Sequence, residues 1–178
     1  KKKIKYLNLS KKYNLSSDKK LEKIISKNKK NYRLHIAIGD NKLREKIYNL
    51  FKKKRYKFQN VIDTSSIVSK NVQLGHGNYV GPGVIINTKA KIDNNCIINS
   101  GSIIEYDVKV KSYTHLAPGS KVMGSTVIGK RCFIGAGVIL NNKLKICDDC
   151  VIGSGSVVIN NLNKKGLYVG IPAKRKKK

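Results

Sequence analysis

The sequence predicts a mainly β chain: a parallel β-helix of hexapeptide repeats, preceded by a small, truncated α/β domain. Three observations carry that prediction. Every sixth residue from Ile62 to Val158 is Ile, Val or Leu, seventeen positions in a row without an insertion. A second column, four places after each of these, is dominated by small residues, among them Ser66, Ala90, Cys96, Ser102, Thr114 and Ser156. Gly83, Gly101, Gly119, Gly137 and Gly155 recur at intervals of 18, with Pro82 and Pro118 before two of them.

A period of six matches neither the 3.6 of a helix nor the alternation of a plain strand. It matches the repeat of a parallel β-helix. The aliphatic column is then the inner wall of a prism, and the small column points into an interior where space is short. Three hexapeptides make one three-sided coil, so glycines 18 apart stack along one corner. There Pro-Gly supplies the two central residues of a type II turn, the glycine taking the positive φ. Seventeen hexapeptides give between five and six coils, and each aliphatic buried contributes about 1.5–3 kcal/mol.

Upstream, the pattern alternates strand and helix. Ile4–Leu9 reads as a short strand, and Ser17 or Asp18 caps a helix with Leu21, Ile24 and Ile25 on one face. Leu34–Ile38 reads as a buried strand ending at Gly39. Asn41–Arg55 reads as a helix with Leu43, Ile47, Leu50 and Phe51 on its stripe, and Phe58–Ile62 as a strand feeding the prism. Such alternation implies a small parallel sheet. A nucleotide-binding sheet opens with a Gly-rich loop, yet the first glycine here is Gly39. The reading is therefore a partial α/β nucleotide-sugar-binding-like domain over 1–60, a β-helix over 61–163, and a closing loop with a basic tail over 164–178. With Met123 as its single methionine, the chain reads as a fragment or as one whose start lies upstream.

The formal charge of +28 is extreme, but it is concentrated at the ends. Residues 1–60 hold 21 of the 38 Lys and Arg, residues 164–178 hold seven, and the central region holds ten against six acids. A coding bias toward Lys, Asn and Ile explains that distribution better than a nucleic-acid stripe, so no nucleic-acid partner is expected. No apolar run approaches the roughly 20 residues of a membrane span, and no signal peptide is visible, which points to a cytoplasmic chain without membrane insertion. Four cysteines suit free thiols in a reducing compartment. Cys147 and Cys150 form a CxxC, but Cys96, Cys132 and Cys150 fall in the small inward column, so core packing is preferred to zinc and no metal is expected. His35 reads as structural and His76 as a surface turn residue.

The segment Ala37-Ile38-Gly39-Asp40-Asn41, the six-residue ladder and the terminal Gly170-Ile171-Pro172-Ala173-Lys174 together resemble the hexapeptide-repeat acyltransferases. Within them the likeness is to the sialic-acid O-acetyltransferases and UDP-4-amino-sugar N-acetyltransferases, over residues 32–174. The resemblance implies the left hand of the winding, which runs against the usual crossover rule. It also implies acetyl-CoA as acyl donor, an amino or hydroxyl group of a (nucleotide-activated) sugar as acceptor, and a role in bacterial surface-glycan synthesis. Active sites would lie between the prisms of a homotrimer.

Residue by residue, the resemblance implies the following roles. The position of the family's base histidine is Tyr106, and Asp107 is the acid that orients it. His115 lies beside the thioester, with Gly124, Ala136 and Ser154 along the rest of acetyl-CoA. Gly39, Asp40, Asn41 and Arg44 remain for the sugar, a strand end and helix cap being the alternative. A histidine with pKa near ~6.5 is a competent base at neutral pH, whereas a phenol near ~10 stays protonated. Losing a general base costs about 10²–10⁴ in rate. Three readings follow: a slow enzyme, an enzyme whose base has moved (to His115), or a catalytically impaired or truncated member that binds CoA and sugar without turnover.

Overall fold

The structure, a computed structural model, describes residues 33–176; the strand expected at Ile4–Leu9 and the helix expected around Leu21–Ile25 lie outside them. Residues 61–158 wind as a mainly β, parallel β-helix of about six coils, the left-handed prism that the hexapeptide family builds. All seventeen aliphatics of the six-spaced ladder end a short strand. From Val80 to Val158 each is at most 3% exposed, so they form one continuous inner column. Ile62 is 46% exposed because it belongs to the first coil. The small column is inward as well, from Asn78 to Ser156.

Its polar members do more than save space. Thr114 Oγ1 donates to the Gly129 carbonyl (2.7 Å) and accepts from the Cys132 amide (3.1 Å). Thr126 repeats the pattern two-thirds of a coil later, donating to the Asn141 carbonyl at 2.7 Å and accepting from Leu144 N at 3.2 Å. Each hydroxyl thus satisfies backbone that the corner leaves unpaired inside the prism.

Strands stack in exact steps of one coil, giving three parallel sheets. The outward row of the first face runs Val61, Tyr79, Ile97, His115, Phe133, Val151. That of the second runs Ile67, Ile85, Ile103, Lys121, Ile139, Val157. That of the third runs Gln73, Lys91, Lys109, Val127, Lys145.

From Gly77 to Gly155 left-handed backbone marks every corner. Between the first and second faces it falls on the predicted glycines, Gly83 to Gly155. At the other corners the same conformation is held by Asp107, Tyr113 and Arg131, among others. A side chain there costs roughly 1–2 kcal/mol. Gly119, at φ 67° with open space around its α-carbon, should therefore lose about 1 kcal/mol on change to Ala, read as a lower midpoint in urea unfolding.

Residues 34–60 pack with the prism as one compact unit, the division falling between Arg33 and Leu34. The helix is Asn41–Lys53, capped by Asp40. Its buried line is Arg44, Ile47 and Tyr48, shifted from the expected Leu43–Ile47–Leu50–Phe51 stripe. Tyr48 causes the shift, with its ring 4.2 Å from that of Phe58 and 5.7 Å from that of Tyr113. The expected strands at Leu34–Ile38 and Phe58–Ile62 reduce to one parallel bridge, Leu34 to Phe58, followed by the first prism strand Val61–Ile62. Beyond that bridge the Ile38 and Gly39 carbonyls accept from the Arg44 guanidinium.

At the other end, Gly166–Val169 pairs in parallel with Cys150–Ile152, and Lys174–Arg175 folds back on it. The Gly170–Lys174 loop closes under the last coil: the Ala173 amide donates to Val157 O at 2.8 Å. No helix among the described residues is long and apolar enough to cross a membrane.

Candidate active site

Arg44 organises the upstream part of the site. It is fully buried, and all five N–H donors of a guanidinium find acceptors. Nε donates to Asn95 O (3.0 Å). Nη1 donates to Ile38 O (2.8 Å) and Gly39 O (3.0 Å), and Nη2 to Asn41 Oδ1 (2.6 Å) and Tyr113 O (2.7 Å). Burial lowers its pKa to about 10, which still leaves it charged at neutral pH. Of the four residues expected at the sugar, Arg44 therefore has no donor to spare and acts as a latch between helix and prism.

Asn41 is the second latch, its Nδ2 donating to Cys132 O (2.9 Å) and Arg131 O (3.1 Å). Asp40 caps the helix, Oδ1 accepting from Leu43 N at 2.7 Å. Gly39 differs from these three. A β-carbon there would meet nothing within 4 Å, and its φ is ordinary, so the fold itself does not require a glycine.

The latch sets this segment over His115. The imidazole stands edge-on to Phe133, with centroids 5.1 Å apart. Both ring nitrogens are shielded and have no hydrogen-bond partner among the described residues. Burial depresses its pKa, the Arg44 charge depresses it further, and the nearby Gly39 carbonyl pulls the other way without completing a hydrogen bond. His115 is thus a neutral imidazole with a free lone pair.

That depression makes stability depend on pH. His35 is also shifted down, chiefly by burial. The unfolded chain then binds more protons than the folded one around pH ~6.5 and below, so stability rises with pH through that window. The melting temperature should fall as pH is lowered from about 7 to about 5. A His115→Gln variant should lose part of that slope; equal slopes would contradict the assignment.

Tyr106 occupies a different part of the prism, on the corner between the second and third faces, and is 51% exposed. Its ring rests on Gly124, one coil below: a β-carbon on Gly124 would come within 2.7 Å of Tyr106 Cζ. Asp107 follows it at φ 56° and is exposed. Ala136 and Ser154 stack one coil apart on the corner between the first and second faces, both exposed. One chain therefore yields two groups. Gly39, Asp40, Asn41, Arg44 and His115 belong to one, with Ala136 and Ser154 farther down the adjoining edge. Tyr106, Asp107 and Gly124 form the other.

Sequence reasoning missed Tyr113 and Asn95, whose carbonyls hold Arg44. It also missed the gathering of Lys89, Lys91, Lys109, Lys143 and Lys145 along the third face and its corner. Reading the outward columns at a spacing of 18 would have found the lysines; nothing local marks the two carbonyls. Among the described residues no group of His, Cys, Asp and Glu is arranged to hold a metal ion. Cys147 and Cys150 are free thiols with sulfurs 3.5 Å apart.

Residues 125–160 match the family model described as bacterial transferase hexapeptide (six repeats). The perosamine N-acetyltransferase PerB of Caulobacter crescentus, solved with CoA and GDP-perosamine, is 34% identical. The match covers 88% of this chain and 76% of that one, with a TM-score of 0.83. WeeI of Acinetobacter baumannii is 26% identical over 80% of this chain and 69% of its own, with a TM-score of 0.76. The acetyltransferase domain of PglB from Neisseria gonorrhoeae, solved with acetyl coenzyme A, shares the fold at 21% identity. That match has a TM-score of 0.82 over 86% of this chain and 76% of that one.

Proposed function

Because the chain belongs to the bacterial hexapeptide-repeat transferases, we propose that it transfers an acetyl group from acetyl-CoA to a nucleotide-activated sugar. The observation that carries this reading is His115, whose two shielded ring nitrogens have no hydrogen-bond partner among the described residues and which sits close to the Gly39 carbonyl. It can donate one hydrogen bond to the thioester carbonyl, polarising it for attack. Ala136 and Ser154 offer an exposed edge of coil backbone to the pantetheine. The relative with GDP-perosamine supports a sugar nucleotide as acceptor.

An amino acceptor fits this chain better than a hydroxyl. A neutral amine attacks first and sheds an acidic ammonium proton afterwards, which water can take. An alcohol needs a base during attack, and a phenol is a poor one. Tyr106 at the base position therefore favours N-acetylation and supports a role in surface-glycan synthesis like that of sugar N-acetyltransferases over one like that of sialic-acid O-acetyltransferases.

The same geometry supports the homotrimer that the family resemblance implies. Tyr106 and His115 lie on different sides of one prism, so a substrate meeting both needs a neighbouring copy. Two of the three faces carry largely apolar outward rows, with Ile67 at 63% and Val151 at 42% exposure, while the third is basic. Apolar surface of that extent suits a partner.

The test is release of CoA thiol from acetyl-CoA against nucleotide 4-amino sugars and sialic acids. Turnover with an amino sugar is expected, and none with any acceptor would support the non-catalytic reading. Gly39→Ala should leave the melting temperature unchanged and raise KM for the sugar about tenfold or more; an unchanged KM would remove Gly39 from the sugar site.

A further inference from the structure

The third face is chemically unlike the other two. Its outward row places Lys91 directly opposite Lys109 on paired parallel strands, whose spacing is about 4.8 Å. Like charges facing each other across a sheet repel. No ion pair within 4 Å relieves Lys89, Lys91 or Lys109 among the described residues. Around them the surface is hollowed into an open depression of about 730 Å³, which Asn71, Gln73, Lys89, Lys91 and Lys109 line together with Asp107. Three cations against the one carboxylate leave a net charge of 3 − 1 = +2 there.

We propose that this depression binds a diphosphate group. Two lysines one strand apart can each meet one phosphoryl group, since an ammonium binds phosphate as a point charge. Lys89 approaches from the corner, and the side-chain amides of Asn71 and Gln73 add donors. The dianion removes the Lys91–Lys109 repulsion that the bare sheet carries. The site ends at Asp107, beside Tyr106, so a ligand held here by its diphosphate reaches the corner where the phenol stands. Both acetyl-CoA and a sugar nucleotide carry a diphosphate. Naming either as the source rests on the acetyl-transfer reading, whereas the site itself does not.

The experiment is calorimetric titration of inorganic pyrophosphate into the full chain at low ionic strength. It compares wild type, a variant with Lys91→Ala and Lys109→Ala together, and Lys121→Ala on the neighbouring face. Loss of two charge-assisted contacts should weaken binding in the double variant by at least about tenfold, with Lys121→Ala behaving as wild type and the circular dichroism spectrum unchanged in all three. Equal binding in all three proteins would place the anion on the terminal lysines and overturn the site. Titrations with CoA and with a GDP-sugar then identify the source as the ligand whose Kd rises in the double variant; wild-type affinity for both would overturn a diphosphate assignment. Pyrophosphate binding without acetyl transfer would remove the acyltransferase reading and leave the site standing.

Discussion

Changing Tyr106 to His is expected to raise the rate of acetyl transfer by up to about 10²–10⁴, because a positioned imidazole takes the ammonium proton from the tetrahedral intermediate faster than water does. The corner can accept the change. Tyr106 is half exposed and lies flat on Gly124, so the smaller imidazole fits without displacing core. Asp107 is the next residue, and its carboxylate can orient a new ring. The gain should appear chiefly in kcat, because of the positions expected at acetyl-CoA only Gly124 touches Tyr106, while His115, Ala136 and Ser154 lie elsewhere on the prism. It should also follow the protonation of an imidazole, rising through pH ~6–7. A rate unchanged by the substitution would mean that deprotonation is not limiting and that the base has moved, with His115→Ala the next variant to test.

The second large effect is structural. Arg44→Ala removes one side chain and orphans five acceptors, among them Ile38 O, Gly39 O and Tyr113 O. Unpaired buried acceptors cost about 1–3 kcal/mol each where water cannot reach them. Because the segment can open, the expected cost is about 3 kcal/mol or more, confined to residues 34–58. Hydrogen exchange should quicken over Asn41–Lys53 while the prism strands keep their protection. Arg44→Lys should rescue little, since an ammonium cannot reproduce a planar five-donor fork. Full rescue by lysine would mean that charge, rather than geometry, holds the segment.

The prism was legible because its rule is one-dimensional. A residue such as Ile104 or Leu116 is buried solely by its place in a period of six, and both are fully buried. The corner glycines were legible for a similar reason, although Asp107 and Arg131 show that other residues accept the same φ when stacked strands hold both ends. The upstream segment was less so. The helix stripe turned because Tyr48 found Phe58 and Tyr113, a partner 65 residues away. Arg44 looked like a ligand contact in sequence because an Arg one turn into a helix is usually solvated; its acceptors come from carbonyls at positions 95 and 113, which no local pattern announces. The lysine face escaped because charge was summed along the chain, and coil stacking sorts it instead by column.

Acetyl transfer by this chain depends on a coil edge that presents backbone to CoA next to His115. A crystal structure of the chain with acetyl-CoA tests this most directly. It should show the thioester beside the His115 ring and the pantetheine crossing the edge of Ala136 and Ser154, with a second copy's Tyr106 corner facing it. CoA seated away from that edge, or an edge left bare at saturating CoA, would contradict it.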